Sequence, residues 1–150
     1  MRCLTVRSPA KLNLVLDVLG KRPDGFHELR TIFERISLAD QITLTRNKTN
    51  KISIRCAHPH VPLSQRNLAL KAAMMLSRDF SILEGLDINI IKNIPVAAGL
   101  AGGSSNAAAV LLGLNRLWQI GLNNAQLVNY AACLGSDVAR SEERRVGKEC

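Results

Sequence analysis

A sheet of antiparallel strands followed by helices is the fold class that these 150 residues predict, and three observations predict it. Between Leu12 and Cys56, apolar and polar residues alternate at period two. From Asn67 onward the apolar residues recur at helical spacing. One alternating stretch, Leu86 to Ile90, returns between two helical ones. The length fits one domain or part of something larger, and 47% apolar content is enough for a real core. Aromatic residues make up only 3%, so that core is expected to be aliphatic.

SPAKLNLVLDVLG puts Leu12, Leu14, Leu16 and Val18 on one face and Lys11, Asn13, Val15 and Asp17 on the other, as in a half-buried strand. In RPDGFHE, Pro23, Asp24 and Gly25 supply turn chemistry, so the chain folds back as a hairpin or opens into a loop. Further short strands, separated by polar turns, are expected at Ile32, Ile36 and Leu38, at Ile42 and Leu44, and at Ile52, Ile54 and Cys56. NLALKAAMMLSRDF reads as a helix capped by Asn67. LDINIIKN returns to alternation and runs into a glycine-rich loop. Ser104 or Ser105 then opens a second helix with an apolar stripe through Ala108, Leu111, Leu112 and Trp118, ending before Gly121. Asn124 is the expected cap of a third helix carrying Leu127, Val128, Ala131 and Leu134 and closed by Gly135.

No uninterrupted apolar run approaches the roughly 18 residues of a membrane span, so a soluble protein without a membrane partner is expected. Strand-like sequence begins almost at Met1, leaving no room for a secretory leader, and a cytoplasmic location is the resulting expectation. Cys3, Cys56, Cys133 and Cys150 are widely spaced, with no CxxC pair and no His at ligand spacing. They are expected to be buried free thiols, and no metal site is assigned. The net charge of +8 is spread without a long basic block, and one Tyr and one Trp are too few for interleaved base stacking. Anionic small molecules therefore suit the charge better than nucleic acid. The segment RSEERRVGKEC from Arg140 has seven charged residues in eleven and no apolar period. It reads codon for codon as a translated sequencing adapter, so 1–139 is expected to be the natural stretch and 140–150 a non-native tail. Dropping its four basic and three acidic residues takes the net charge from +8 to +7.

The stretch IPVAAGLAGGSSNAAA carries Gly99, Gly102 and Gly103, then Ser104 and Ser105. A strand, a glycine loop and a helix opening on serines leave unpaired N–H groups facing the loop, an arrangement suited to an anion. Glycine lets the backbone approach phosphate oxygens, and serine hydroxyls donate to phosphate or ligate magnesium. Tight packing of a plain connection is the alternative for a glycine loop alone. A P-loop would need Lys after GxxxxG, and none occurs between Lys92 and the end of the second helix. A dinucleotide fingerprint would need GxGxxG after a first parallel strand, whereas the spacing here is GxxGG, two thirds of the way along.

SPAKLNL, PDGFHEL, PVAAGLAGGSSNAA and LGSDV, in this order from about Ser8 to Val138, make the chain resemble the GHMP kinase superfamily. Within it the resemblance is strongest to the kinases that act on a cytidine-diphosphate derivative of methylerythritol in non-mevalonate isoprenoid synthesis. The resemblance implies an α+β fold whose N-terminal, ATP-binding domain is like part of a ribosomal protein, with an antiparallel or mixed sheet and helices. It also implies a second, C-terminal α+β domain that this chain lacks, and hence a fragment expected to be inactive alone. The implied reaction is transfer of a phosphoryl group from ATP, accompanied by Mg2+, to the 2-hydroxyl of the methylerythritol moiety. Asp137 matches the proposed general base and Lys11 its partner lysine. Pro95, Gly99, Leu100, Ala101, Gly102, Gly103, Ser104 and Ser105 match the phosphate loop, and Asn67 a position near the adenine. Asn13 shares the face of Lys11 by the period-two rule and is assigned to substrate binding, and His27 matches a substrate-binding position at the cytosine edge. Phe26 stands where the family usually has Tyr, keeping a stacking face and losing a hydroxyl. Asn106 stands where many members have Asp, which weakens the case for a metal there.

Two competing functions are open on the residues alone. Another kinase of the superfamily is disfavoured by PDGFHEL, which belongs to the cytidine-recognising members. A ribosomal-type RNA-binding module would use the positive charge, and it would show steeply salt-dependent affinity for oligonucleotides.

Overall fold

The computed structural model describes residues 2–139, apart from 22, 24 and 26 and the side chains of 27 and 29. The expectations for Phe26, the His27 side chain, Cys150 and the tail 140–150 lie outside the described residues. In chain order the elements are β1 (Cys3–Lys21), β2 (His27–Asn47), β3 (Ile52–Cys56), α1 (Leu68–Asp79), β4 (Gly85–Ile91), α2 (Gly102–Leu117) and α3 (Asn124–Leu134). The four strands form one sheet in the order β1-β2-β4-β3. β1–β2 and β2–β4 are antiparallel, while β3 joins β4 in parallel, so the sheet is mixed. That parallel edge comes from the connection, because α1 lies between β3 and β4 and carries the chain back across the sheet.

The expected short strands merge. β2 runs unbroken for 21 residues because β1 pairs with it along almost its whole length. Register shifts at Pro9/Lys11, Asn13/Val15 and Val18/Gly20 absorb the mismatch as bulges. The face expected to be buried is also corrected: Leu12, Leu14, Leu16 and Val18 are 40 to 62% exposed. Beyond Lys11 the hairpin extends past the helices, so alternation there has no layer to pack against among the described residues. The hairpin itself is as the turn residues predicted.

The core forms where α1 and α2 cover one face of the sheet. Ile42 and Leu44 of β2 and Leu86, Ile88 and Ile90 of β4 meet Leu76 of α1 and Leu111 and Leu114 of α2. Alanines stand in for the missing aromatics: Ala69, Ala72 and Ala73 on α1 and Ala107, Ala108 and Ala109 on α2 are all fully buried. Their small side chains let elements approach closely, which keeps an aliphatic core dense. α3 packs Leu127 and Ala131 into the same cluster, with the Tyr130 ring 6.2 Å from that of Phe80.

Two helix starts shift from their expected residues. α3 is capped by Asn123, not Asn124, through a capping box in which Gln126 N donates to Asn123 Oδ1 and Asn123 N to Gln126 Oε1. α2 opens at Gly102, before the serines, because Ala101 turns left-handed there. Asn67 caps α1 as expected, its Oδ1 accepting from Ala69 N, and Gly135 closes α3. The cysteines are free as expected but not buried: Cys3 and Cys133 are exposed and Cys56 is half-buried. Cys3 begins an edge strand. Among the described residues no helix is long and apolar enough to cross a membrane.

Gly113 is where α2 rides closest on the sheet, since a Cβ there would come within 2.6 Å of Leu44 Cδ1 and 3.4 Å of Val6 Cγ2. Leu44 is fully buried and has nowhere to go. Gly113→Val is expected to lower stability by about 1–3 kcal/mol, read as a lower urea midpoint at unchanged slope. At the β3–β4 edge, Ser53 Oγ donates to Asp87 Oδ1 at 2.6 Å, and that bond, with Asn47, holds the Asp87 carboxyl below its ordinary range. Asp87 therefore adds stability above the ordinary carboxylate pKa, and the contribution is lost as pH falls through its lowered value. Ser53→Ala should reduce stability at neutral pH and flatten this acid limb in denaturation curves taken between pH 2 and 7, a range set by the ordinary carboxylate pKa of about 3.9.

Candidate active site

The site begins with two charges inside an apolar sheet. Asp40 of β2 is fully buried, and its Oδ2 accepts from Lys92 Nζ at 2.8 Å. Its Oδ1 accepts from the backbone N–H groups of Asn93 (2.7 Å) and Ile94 (2.8 Å). Lys92 Nζ also donates to Ile94 O. Every strong contact of this carboxylate thus goes to the three residues that leave β4. A buried ion pair survives only when such extra hydrogen bonds satisfy it, and here their geometry fixes the corner from which the glycine loop departs.

Beyond that corner the backbone is strained. Ala97 (φ 60°) and Ala101 (φ 52°) are left-handed, a conformation costing about 1–2 kcal/mol for a residue with a Cβ; Gly99 (φ 72°) takes it freely. Gly102 lies against the ion pair, and a Cβ on it would come within 3.1 Å of Lys92 Nζ. α2 then starts without any side-chain cap. The N–H groups of its first turn have no intrahelical acceptor, and they open toward a cavity of about 350 Å³. Pro95, Gly99, Leu100, Ala101, Gly102, Gly103 and Ser104 line it on one side, and Asn67 with His60 and Pro62 on the other. Asn67 is both cap and wall: its Nδ2 donates to Pro62 O at 2.8 Å while its Oδ1 caps α1. Ser105 is turned away from the cavity, its Oγ donating to Pro9 O at 2.7 Å.

Lys11 joins this loop to Asp137. Its backbone N–H donates to Leu100 O at 3.1 Å, and its Nζ pairs with Asp137 Oδ1 at 3.0 Å. The Lys11 side chain is 9% exposed and that of Asp137 54%. The ammonium also lies 4.2 Å from the centre of the Phe33 ring, a cation–π contact that covers it from β2. Asp137 sits on a single helical turn after Gly135, anchored by the fully buried Val138. Asn13, two residues along β1 and exposed, is registered opposite Phe33.

Lys11, Asp137, the phosphate loop and Asn67 therefore surround adjoining space, and Asn13 flanks it. Sequence reasoning missed Asp40, Lys92 and Phe33. A signal existed for the first two, since Asp40 continues the buried register of Ile42 and Leu44, and Lys92 that of Leu86, Ile88 and Ile90. An acid and a base that each extend a buried period-two face are expected to meet. Asp40→Ala, which leaves Lys92 buried without its counter-charge, should cost about 3–5 kcal/mol. Adding Lys92→Met should recover part of that loss, and thermal melts of the single and double variants measure both.

The family model described as GHMP kinases N terminal domain matches residues 67–143. The chain is 49% identical over 142 residues to the 4-diphosphocytidyl-2-C-methyl-D-erythritol kinase of Gloeothece citriformis, covering 92% of this chain and 45% of that protein. It is 52% identical over 136 residues to the kinase of the same name from Bacillus cereus, covering 91% and 47%. The crystal structure of a 4-(cytidine 5'-diphospho)-2C-methyl-D-erythritol kinase superposes with a TM-score of 0.76 at 36% identity, covering 92% of this chain and 48% of that one. The chain thus spans a little under half the length of the relatives it matches. Its loop, its uncapped helix and Asp137 lie within residues 67–143, and by the family match the chain belongs to the GHMP kinases as their N-terminal domain.

Proposed function

We propose that this chain supplies the ATP-binding and proton-accepting half of a kinase that phosphorylates the 2-hydroxyl of 4-diphosphocytidyl-2-C-methyl-D-erythritol, in the cytoplasm and in non-mevalonate isoprenoid synthesis. The observation that carries this reading is the double bond of Lys11, by its backbone to the glycine loop and by its ammonium to Asp137. One residue thereby sets the distance between a polyphosphate cradle and a carboxylate.

Phosphoryl transfer needs little covalent help from the protein. It needs alignment, charge neutralisation and a late proton acceptor. The first-turn N–H groups of α2 hold the phosphate oxygens, and the Ser104 hydroxyl donates beside them. Asp137, half-exposed, is open to a substrate hydroxyl and takes its proton, while Lys11, paired with that carboxylate, holds it in place and steadies the incoming oxygen. Asn13 lies on β1, and by the resemblance Phe26 and His27 would receive the cytidine end with it. Mg2+ would enter as a companion of the triphosphate, with the Ser104 hydroxyl a neutral oxygen of the kind magnesium accepts beside phosphates. When bound, the ion would neutralise charge on the transferring group.

The test is a chimera of residues 1–139 with the C-terminal half of the Bacillus cereus relative, assayed with ATP and the cytidylyl substrate. Asp137→Asn should leave nucleotide affinity nearly unchanged and lower kcat at least about a hundredfold. Undiminished turnover in that variant removes Asp137 from the chemistry. Phe26→Ala should raise KM for the cytidylyl substrate by the equivalent of about 1–3 kcal/mol, and an unchanged KM removes the stacking role.

A further inference from the structure

The Lys11 ammonium has a second neighbour besides Asp137. Its Nζ lies 4.2 Å from the centre of the Phe33 ring, and the strand register explains how the two meet. Lys11 stands opposite Arg35 and Asn13 opposite Phe33, so Phe33 is the diagonal neighbour of Lys11 across the β1–β2 ladder. Diagonal neighbours are within reach of long and aromatic side chains. The same register sets a second cation, Arg35, directly across from the lysine, and like charges so opposed repel. Asp137 alone is a loose anchor against that repulsion. Its side chain is 54% exposed, and an ion pair with so open a partner is weak and seldom confined to one geometry. The ring supplies what the pair lacks, because an aromatic face attracts an ammonium most strongly where water is excluded, and the Lys11 side chain is well covered. Packing gives no other account of the aromatic. Phe33 lies where the hairpin extends past the helices, and its neighbours Leu12, Leu14 and Ile32 are exposed aliphatics. Phe33 is half-buried, with a cation over its ring.

We propose that Phe33 is a positioning residue for phosphoryl transfer: it acts through Lys11, holding the ammonium on the face of its ring so that the lysine keeps one geometry toward Asp137 and the incoming hydroxyl. The inference rests on the reading of Lys11 and Asp137 as the pair at the acceptor oxygen. It is separable from mere covering, because leucine fills similar space without a negative ring face, while tyrosine keeps that face.

Two measurements test it. In the first, the 150-residue chain is trace-labelled with acetic anhydride, and the reaction at each lysine is read by peptide mass spectrometry. Lys11 is expected to react more slowly than the exposed Lys51 and Lys71. Phe33→Leu should raise the Lys11 rate severalfold with the other two unchanged, and Phe33→Tyr should keep the wild-type rate. In the second, the chimera of residues 1–139 with the C-terminal half of the Bacillus cereus relative carries Phe33→Leu, Phe33→Tyr, Lys11→Met or Lys11→Met with Phe33→Leu. Phe33→Leu should lower kcat about twofold to thirtyfold, the range of cation–π contacts from exposed to desolvated, with KM for ATP unchanged and Phe33→Tyr close to wild type. Added to Lys11→Met, Phe33→Leu should cost nothing further, since a residue that acts through another has no effect once that other is gone. A full additional loss in the double variant, an unaltered Lys11 labelling rate in Phe33→Leu, or a Phe33→Tyr chain as impaired as Phe33→Leu overturns the inference and leaves Phe33 a packing or substrate-contact residue. Turnover undiminished by Lys11→Met overturns the reading of the pair and this inference with it, a result distinct from the others.

Discussion

The position of the glycine loop depends on one buried ion pair. Asp40 on β2 and Lys92, the residue just past the end of β4, meet where that strand stops. Two isolated charges in such a place would cost far more than they return. They are tolerated because the carboxylate also takes the N–H groups of Asn93 and Ile94, and the ammonium also donates to Ile94 O. Those three backbone groups would otherwise be orphaned where the ladder stops. The pair thus ends the strand and aims the chain at once, and the close approach of Gly102 to Lys92 carries that aim into the first turn of α2.

Past the corner, the chain is locally unfavourable. Two alanines hold left-handed backbone, and α2 lacks a cap although α1 and α3 have one. Each feature lowers the stability of the free chain, and all border one cavity. Stabilising alternatives were open to the sequence, such as glycine at 97 or 101 or a serine cap. Features that oppose stability and cluster together are the usual mark of a binding site, whose ligand supplies the missing partners. The rigid parts carry the strain: β4 behind the loop, α2 ahead of it, and β1 beside it through the Lys11–Leu100 and Ser105–Pro9 contacts.

Much of this was legible in the residues. The alternation of Leu86, Ile88 and Ile90, the cap at Asn67 and the strand–glycine–helix order are local signals, and the structure keeps them. The resemblance carried Lys11 and Asp137, which are 126 residues apart and which no local pattern joins. Failures came where tertiary context overrides local pattern. Leu12 to Val18 alternate like a buried strand, but burial needs an opposing layer, and none stands there among the described residues. Asp40 reads as a polar turn residue between short strands, whereas its buried partners make it part of one long strand. Period two says which residues share a face. It does not say which face has company.

Lys11 marks the boundary between those two regimes. Up to Ala10 the hairpin lies under α2, and from Leu12 it stands clear. At this boundary the lysine is covered while its partner Asp137 stays open to solvent. If both groups faced solvent, the pair would be held by roughly 1 kcal/mol or less and would seldom share one geometry. If both were buried, the carboxylate would be closed to anything outside the fold, and the pair would carry the desolvation cost of two charges. With the lysine fixed by the Phe33 ring and by its own backbone bond to Leu100, the flexible side chain is restrained at both ends. Asp137 then needs only a short helical turn, pinned by Val138, to present an oxygen to the cleft. The register shift at Pro9/Lys11 leaves two successive residues, Ala10 and Lys11, buried just before the hairpin becomes exposed, so the inward position of the lysine goes with a one-residue irregularity in strand pairing.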